Sequence, residues 1–245
     1  MKKTIFLFLL ICSNIIYAEL PKGDYILKKI DKNYKADNRI SSSTMIIKGR
    51  RGSRTIKAKS WAKGIDKVFT QYLYPAREKD TKMLKLKHEL WIWSPAADRI
   101  IKIAGHMLRQ SLMGSDVSYE DFMEDPELDK NYSAKVIGQE KYQERMCYIL
   151  ELKAKKDKVA YHSRKLWVDK ERYLPLKENR FAKSGKLLKT FYIDKVSKIG
   201  NRWYPTKMVF KDVLKQGDGT QLLIDSIEFD TKIPDHIFSK AALRR

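Results

Sequence analysis

The chain has 245 residues, and its 51 Lys and Arg outnumber its 30 Asp and Glu, so the formal net charge is +21. Such a basic chain favours nucleic acid, an anionic membrane or acidic proteins as partners. The lysines argue against nucleic acid, because they are spread along the chain and alternate with apolar residues, as in 82–87, rather than forming a basic tail.

The first 18 residues have the layout of a secretory signal peptide. Two lysines precede a nearly uninterrupted apolar run over 4–16, and Ala18 precedes a polar, lysine-rich chain. The run is shorter than the roughly 20 apolar residues that span a bilayer. We therefore expect cleavage near Ala18, a periplasmic location and a mature domain over 19–245. Cys12 offers an alternative, a lipoprotein signal in which that cysteine carries lipid.

One cysteine, Cys147, follows the predicted cleavage site. A single cysteine forms no internal disulfide, so the fold must be held together by its core. Cys147 stands in the apolar run 146–150 with no His or other base beside it. This context predicts a small buried side chain rather than a catalytic thiol.

The first predicted element is an amphipathic helix over 23–38. Ile26, Leu27, Ile30 and Tyr34 fall on one face of it, and lysines and aspartates fall on the other. The period then changes to two, and β-branched and aromatic runs bounded by turn residues predict strands. These strands cover 44–50, 53–63, 66–74, 81–87, 89–93 and 98–103.

A helical segment interrupts the strands. Apolar residues four apart over 103–112 predict a short helix or irregular lid, and Ser118 followed by Asp121 predicts a capping box that starts a second helix. Alternating runs separated by Gly-containing turns then predict an antiparallel meander. Its strands cover 132–139, 143–155, 163–169, 174–181, 186–198, 202–214 and 219–230.

These elements predict an α+β fold in a single domain. One sheet of about 11 to 13 strands is too large to stay flat, so it must curve strongly or close. A curved sheet leaves a concave face that side chains, a helix or a ligand must fill. The N-terminal helix and the segment around 103–123 are the two candidates for covering that face.

Several segments of the chain resemble the outer-membrane lipoprotein-sorting proteins of the LolA-like superfamily. The resemblance covers about 24–238, and the element order fits as well. The segments are LWIWSP (90–95), DRI (98–100), RQSLMGSD (109–116), SYED (118–121), LWVDKE (166–171) and YLPL (173–176).

The resemblance implies an unclosed antiparallel β-barrel with helices over its mouth. Between them it implies an apolar pocket that shelters lipid or lipoprotein acyl chains in the periplasm, as a chaperone does, without catalysis. An inner-membrane transporter and an outer-membrane acceptor are the partners it implies. The alternative is a non-enzymatic interaction module that docks on a transporter or an anionic membrane through its basic surface.

The candidate cargo-binding residues are apolar side chains of the lid and of one aromatic strand. Methionines suit a pocket of variable contents because their side chains are flexible and polarizable. The alternative is that the same residues pack only as core. They are Met107, Leu108, Leu112, Met113, Phe122 and Met123 in the lid, and Trp91 and Trp93 on one face of a strand.

The chain carries no pattern that predicts catalysis or a cofactor. Its four histidines do not stand at metal-ligand spacing with another His or Cys, and neither a glycine-rich phosphate loop nor a nucleophile elbow is present. We therefore expect no catalytic residue, no metal and no cofactor.

Overall fold

The computed structural model describes residues 20–34, 37–50, 52–124, 127–157 and 159–244. The predicted signal peptide and Cys12 lie outside these residues. Three α-helices are described: α1 (Gly23–Tyr34), α2 (Tyr119–Met123) and α3 (Leu128–Asn131). None of the helices in the described residues is long and apolar enough to cross a membrane.

In the described residues, thirteen strands lie close to their predicted positions, at the upper end of the expected number. Six precede α2: β1 (Asn38–Gly49), β2 (Gly52–Lys63), β3 (Lys67–Tyr74), β4 (Lys82–Leu86), β5 (Glu89–Ser94) and β6 (Arg99–Ile103). Seven follow α3: β7 (Tyr132–Tyr142), β8 (Arg145–Ala154), β9 (Ser163–Asp169), β10 (Pro175–Phe181), β11 (Leu187–Ile199), β12 (Arg202–Asp212) and β13 (Gly219–Phe229).

Helix α1 is shorter than predicted. The predicted helix extended to Asn38, but α1 ends at Tyr34 and Asn38 begins β1. Asn38 pairs with Lys63 of β2, and β1 also pairs with β13 on its other side. Pairing on both sides satisfies the backbone of this segment, and the apolar stripe of the helix has already ended at Tyr34.

All thirteen strands form one antiparallel sheet in which the first and last strands pair. The order across the sheet is β6-β5-β4-β3-β2-β1-β13-β12-β11-β10-β9-β8-β7. Strands β6 and β7 are the two edges, and no pairing joins them among the described residues. The curved sheet is therefore an unclosed barrel, and the helical segment between β6 and β7 connects its two edges.

The inner, concave face of the sheet is the face that the helices cover. Helix α1 covers one part of it, where Ile26, Leu27 and Ile30 pack against Leu150 and Leu166. These five side chains are fully or almost fully buried. Burial of each aliphatic side chain stabilises the fold by about 2 kcal/mol, so these contacts provide a major part of the stability of the core.

The lid segment, defined here as residues 105–124, covers another part of the inner face. It contains two short 3-10 turns, Gly105–Arg109 and Leu112–Gly114, followed by α2. Leu112 packs against Met83 of β4 and Ile103 of β6. The helix or irregular lid predicted over 103–112 is thus a pair of 3-10 turns.

The outer face of β3, β4 and β5 is covered by the C-terminal segment. Its 3-10 turns are Asp235–Ile237 and Lys240–Leu243. Phe238 and Leu243 pack against Phe69, Leu84 and Trp91. Helix α1 and the C-terminal segment therefore stabilise opposite faces of one sheet.

Candidate functional site: an inner cavity beneath the lid

A cavity of about 310 Å³ lies between the lid segment and the inner face of β1–β4, β12 and β13. Apolar side chains form one end of it, including Met45, Ile56, Met208 and Leu222. Met45 stands opposite Ile56 on one neighbouring strand and opposite Leu222 on the other. Residues in register point to the same face of a sheet, so this end of the cavity is a direct consequence of strand pairing.

The other end of the cavity is polar. Arg39, Ser41, Ser60, Thr70 and Tyr204 line it. The hydroxyls of Ser60 and Thr70 lie 2.9 Å apart, and Arg39 Nη1 donates to Tyr204 Oη over 3.4 Å. Among the described residues that line the cavity, none is Asp or Glu. The cavity is therefore amphipathic, with a cation at its polar end.

Five of the six predicted lid residues belong to one apolar cluster on the inner face. It also contains buried side chains of β4, β5 and β6. Leu112 and Phe122 line the cavity itself. The five residues are Met107, Leu108, Leu112, Phe122 and Met123.

The sixth predicted lid residue, Met113, packs on a neighbouring cluster that contains Met45, Ile56 and Tyr72. All six residues therefore lie on the inner face, at or beside the roof of the cavity. Their contact with a cargo stays a prediction.

The two predicted tryptophans do not reach the cavity. Trp91 and Trp93 share a face of β5, as predicted, but it is the outer face, where Trp91 is buried against Phe238. Successive side chains of a strand alternate between faces. Because Leu90 of β5 packs on the lid side, Trp91 and Trp93 point away from it.

Asp116 fastens the lid segment to β12 and β13. Its carboxylate accepts a hydrogen bond from Thr220 Oγ1 over 2.7 Å and another from the Asp212 backbone N–H over 3.0 Å. The Thr220 hydroxyl oxygen also accepts from the Asp116 backbone N–H over 3.0 Å. Both side chains are buried, so these bonds are screened little by water.

Arg54 of β2 fastens the lid from the opposite side. Its Nη2 donates to the backbone carbonyl of Met113, a residue with a positive φ of 50°. Gly114 follows with φ of 73°, and a Cβ added there would lie 2.7 Å from Arg54 Nη2. Glycine at 114 thus serves both the backbone conformation and the close approach of the arginine.

The N-terminal end of α2 carries the predicted capping box. The Asp121 backbone N–H donates to Ser118 Oγ over 3.2 Å, and the Ser118 backbone N–H donates to Asp121 Oδ2 over 2.7 Å. This confirms the prediction from the Ser118–Asp121 spacing. The cap also orients the Asp121 carboxylate toward the cations of β10 and β11.

A buried charge network joins α2 to β9, β10 and β11. Asp121 pairs with Arg180 at 3.1 Å and with Lys189. Arg164 pairs with Glu178 at 2.8 Å and with Glu124 of the lid segment. Its guanidinium also stacks over Tyr132, 4.6 Å from the ring centre, a favourable arrangement for a desolvated cation.

The network shifts the titration of its members. Burial alone would raise the pKa of the Asp121 carboxyl, but the charges of Arg180 and Lys189, with hydrogen bonds from Lys189 and Tyr161, hold that pKa well below its usual value. Burial lowers the pKa of the Arg164 guanidinium to about 10, against the opposing effect of Glu178. The Asp121 carboxylate and the Arg164 guanidinium are therefore both ionised at neutral pH, and the lid is held by charge as well as by apolar contact.

Sequence reasoning missed Arg164, Glu178, Arg180 and Lys189 of this network, and it missed Arg39. A usable signal existed, because Arg164 shares its strand face with Leu166 and Val168, which are typical core residues. A charged residue in phase with core positions predicts either a buried ion pair or a binding site. Whether such a residue forms an ion pair or a binding site depends on residues far away in the chain.

Cys147 is fully buried, as predicted. Burial raises the pKa of its thiol to about 11. In the described part of the chain, no group of three or more His, Cys, Asp or Glu is placed to hold a metal ion.

A family model described as "Uncharacterized protein" matches residues 64–245. No curated protein matches the sequence. The match to the family model begins directly after β2 and includes β3–β13, the lid segment and most of the strands that surround the cavity.

Solved structures with the same fold cover almost the whole chain. A DUF1329 family protein from Desulfovibrio piger superposes with a TM-score of 0.84 at 24% identity, covering 90% of this chain and 97% of its own. A putative outer membrane lipoprotein-sorting protein domain from Vibrio parahaemolyticus gives 0.78 at 24% identity, covering 91% and 98%. A LolA superfamily protein from Nitrosomonas europaea gives 0.75 at 23% identity, covering 91% and 100%.

The resemblance stated from the sequence is therefore confirmed at the level of the fold. The chain belongs to the family whose model is described as "Uncharacterized protein", and it has the LolA-like fold.

Proposed function

We propose that the protein is a non-enzymatic carrier that shelters a lipid, or an acyl chain of a lipoprotein, in the inner cavity during transfer across the cell envelope. The observation that carries the proposal is the apolar end of the cavity beneath the lid, where Met45, Ile56 and Leu222 line the cavity together with Phe122 of the lid. A periplasmic location is part of the proposal and rests on residues 1–18. The putative outer membrane lipoprotein-sorting protein domain of the same fold supports the proposal by analogy.

The energetics suit reversible transport. Each methylene that leaves water contributes about 0.8 kcal/mol, so a chain with ten buried methylenes gains about 8 kcal/mol. The cavity volume of about 310 Å³ is at the low end of the range for small-molecule sites, so it suits a single acyl chain. A larger cargo requires the lid segment to lift, and the flexible side chains of Met107 and Met123 adapt to such a change.

The first test is whether a hydrophobe is bound. Protein lacking residues 1–18 is purified without detergent and examined by native mass spectrometry, and uptake of a fluorescent fatty acid is titrated. We expect a copurifying lipid mass or saturable uptake. The absence of both would refute the carrier function.

A cavity-filling variant locates the bound chain. Ala58 lines the cavity, whereas Lys57 is exposed on the other face of β2. We expect Ala58→Phe to abolish uptake and Lys57→Phe to leave it unchanged. Ser43→Leu fills the cavity from β1 and gives the same test if Ala58→Phe does not fold, as judged by thermal unfolding. Uptake that survives filling from either strand would contradict binding in this cavity.

A second function, docking on an anionic membrane surface, is favoured by the outer face. A lysine lies over a tryptophan there: the exposed Lys59 is 5.3 Å from the ring centre of the half-buried Trp61. Aromatic rings with cations beside them suit the interface of an anionic bilayer. Sedimentation with phosphatidylglycerol vesicles at low salt, lost at high salt and absent with phosphatidylcholine vesicles, is the expected result.

A further inference from the structure

Arg39 differs from three other buried or half-buried arginines. Arg145, Arg164 and Arg180 each form an ion pair with a carboxylate. Among the described residues, no carboxylate lies within ion-pair distance of Arg39, whose side chain hydrogen-bonds to the Tyr204 hydroxyl. Arg39 is half-buried at the cavity wall, so its charge is partly desolvated without a compensating anion.

The surroundings of Arg39 favour an anion over a cation. The other polar side chains that line this end of the cavity, those of Ser41, Ser60, Thr70 and Tyr204, carry hydroxyls, and no Asp or Glu is among the described residues that line it. A guanidinium binds carboxylate and phosphate through two parallel hydrogen bonds, and hydroxyls add further donors. This end of the cavity therefore has the chemistry of a site for a small oxyanion.

The distance from Arg39 to the apolar end is long enough for one acyl chain. Arg39 and Met45 are six residues apart on β1, which is about 20 Å along a strand. One acyl chain spans half of a hydrocarbon core about 30 Å thick, or about 15 Å. A head group at Arg39 thus leaves its chain lying along β1 toward Met45 and Leu222.

We propose, resting on the carrier function above, that the cavity takes a single-chain amphiphile with an anionic head group, which Arg39 and Tyr204 bind while the tail lies against Met45, Ile56 and Leu222. The shared chemistry of the ligands is one oxyanion on one acyl chain. A fatty acid provides a carboxylate, and a lysophospholipid such as lysophosphatidic acid provides a phosphate.

The test compares ligands that differ in the head group alone. Palmitate, hexadecanol and palmitoyl lysophosphatidate compete with a bound fluorescent fatty acid, below their micelle concentrations. A hydrogen bond to a charged group increases affinity about 10- to 100-fold. We therefore expect palmitate or lysophosphatidate to bind about 10- to 100-fold more tightly than hexadecanol. Preference between the two anions identifies the source of the head group. Equal affinity for palmitate, lysophosphatidate and hexadecanol would overturn the proposal.

Variants assign the effect to the site. We expect Arg39→Gln to remove the preference for the anion while hexadecanol binding is unchanged, and Tyr204→Phe to reduce the preference by a few-fold. Arg77→Gln, on an exposed loop, is the matched control for loss of a positive charge. A preference for the anion that persists in Arg39→Gln would overturn the proposal. If the wild-type protein bound none of these ligands, the carrier function itself would be refuted.

Discussion

Thr220 of β13 and Asp116 of the lid segment are 104 residues apart in the chain and hold each other through two hydrogen bonds. Thr220 is fully buried and Asp116 nearly so. The pair joins the RQSLMGSD segment, which carries the resemblance to the lipoprotein-sorting proteins, to the strand that also lines the cavity. The position of the lid is therefore coupled directly to the cavity wall.

Removal of the Thr220 hydroxyl should loosen the lid. Thr220→Val leaves the buried Asp116 carboxylate without one of its donors, which costs about 1–3 kcal/mol. We expect lower stability in urea unfolding and faster hydrogen exchange over 111–118. Thr44→Val is the control, because the Thr44 hydroxyl donates to Asp225 in an exposed position. Equal effects of the two variants would contradict an anchoring role for Thr220.

Gly114→Ala should destabilise the lid for two separable reasons. The positive φ of 73° strains any residue with a Cβ by about 1 kcal/mol, and the new Cβ meets the Arg54 guanidinium. Gly64→Ala has the first effect alone, because its φ is 58° and nothing lies near its Cβ. The measurement is the free energy of unfolding of each variant.

A double-mutant cycle separates the contact from the strain. We expect Gly114→Ala to cost less in an Arg54→Ala background than in the wild type, by about 0.5 kcal/mol or more. Additive costs would show that the contact with Arg54 does not matter.

The charge network predicts loss of stability in acid. Because the pKa of Asp121 is lower in the folded than in the unfolded chain, its contribution is present above its ordinary pKa of 3.8 and is lost as the pH falls through the folded value. Asp121→Asn should therefore be less stable than the wild type at pH 7, by about 3 kcal/mol. The difference should shrink below pH 4.

The control for this experiment is Asp225→Asn, which removes an exposed carboxylate on β13. Urea unfolding at pH 7, 5, 4 and 3 gives the profile for each protein. Asp225→Asn should follow the wild-type curve within about 0.5 kcal/mol. A gap between Asp121→Asn and the wild type that stays constant from pH 7 to pH 3 would contradict the assigned linkage.

Cys147 should be inert in the folded protein. Its side chain is buried, and burial raises the pKa of the thiol to about 11, so very little thiolate is present at pH 8. We expect iodoacetamide to modify Cys147 in urea and to leave it unmodified in buffer, as measured by intact mass. Rapid modification of the native protein would mean that β8 opens locally.

Most of the sheet was predictable, because alternation of apolar and polar residues is a local property. Strand β9 lies where the alternation predicts it, and the capping box at Ser118 follows from two residues three apart. The end of α1 was predicted four residues too late. The sequence of 35–38 does not predict where the helix ends, because the start of β1 depends on its pairing with β2 and β13.

The candidate site was predictable in part. The apolar residues predicted to bind cargo from the lid included Leu112 and Phe122, which line the cavity. The face of β5 was not decidable, because Trp91 and Leu90 are both apolar and alternation alone does not say which face is inside. Its inner face was decided by the packing of Leu90 with the lid and of Trp91 with the C-terminal segment.

The amino-acid sequence by itself determined the class of the fold, the number of strands to within two, and the place of the lid between two halves of a meander. Those features depend on periodicity and on turn residues, which act over a few positions. The tertiary structure alone decided that Arg39, Tyr204 and Thr220 share a cavity with the lid. They meet because β1 pairs with β13 and β13 with β12, and such long-range pairing depends on the register of the whole sheet.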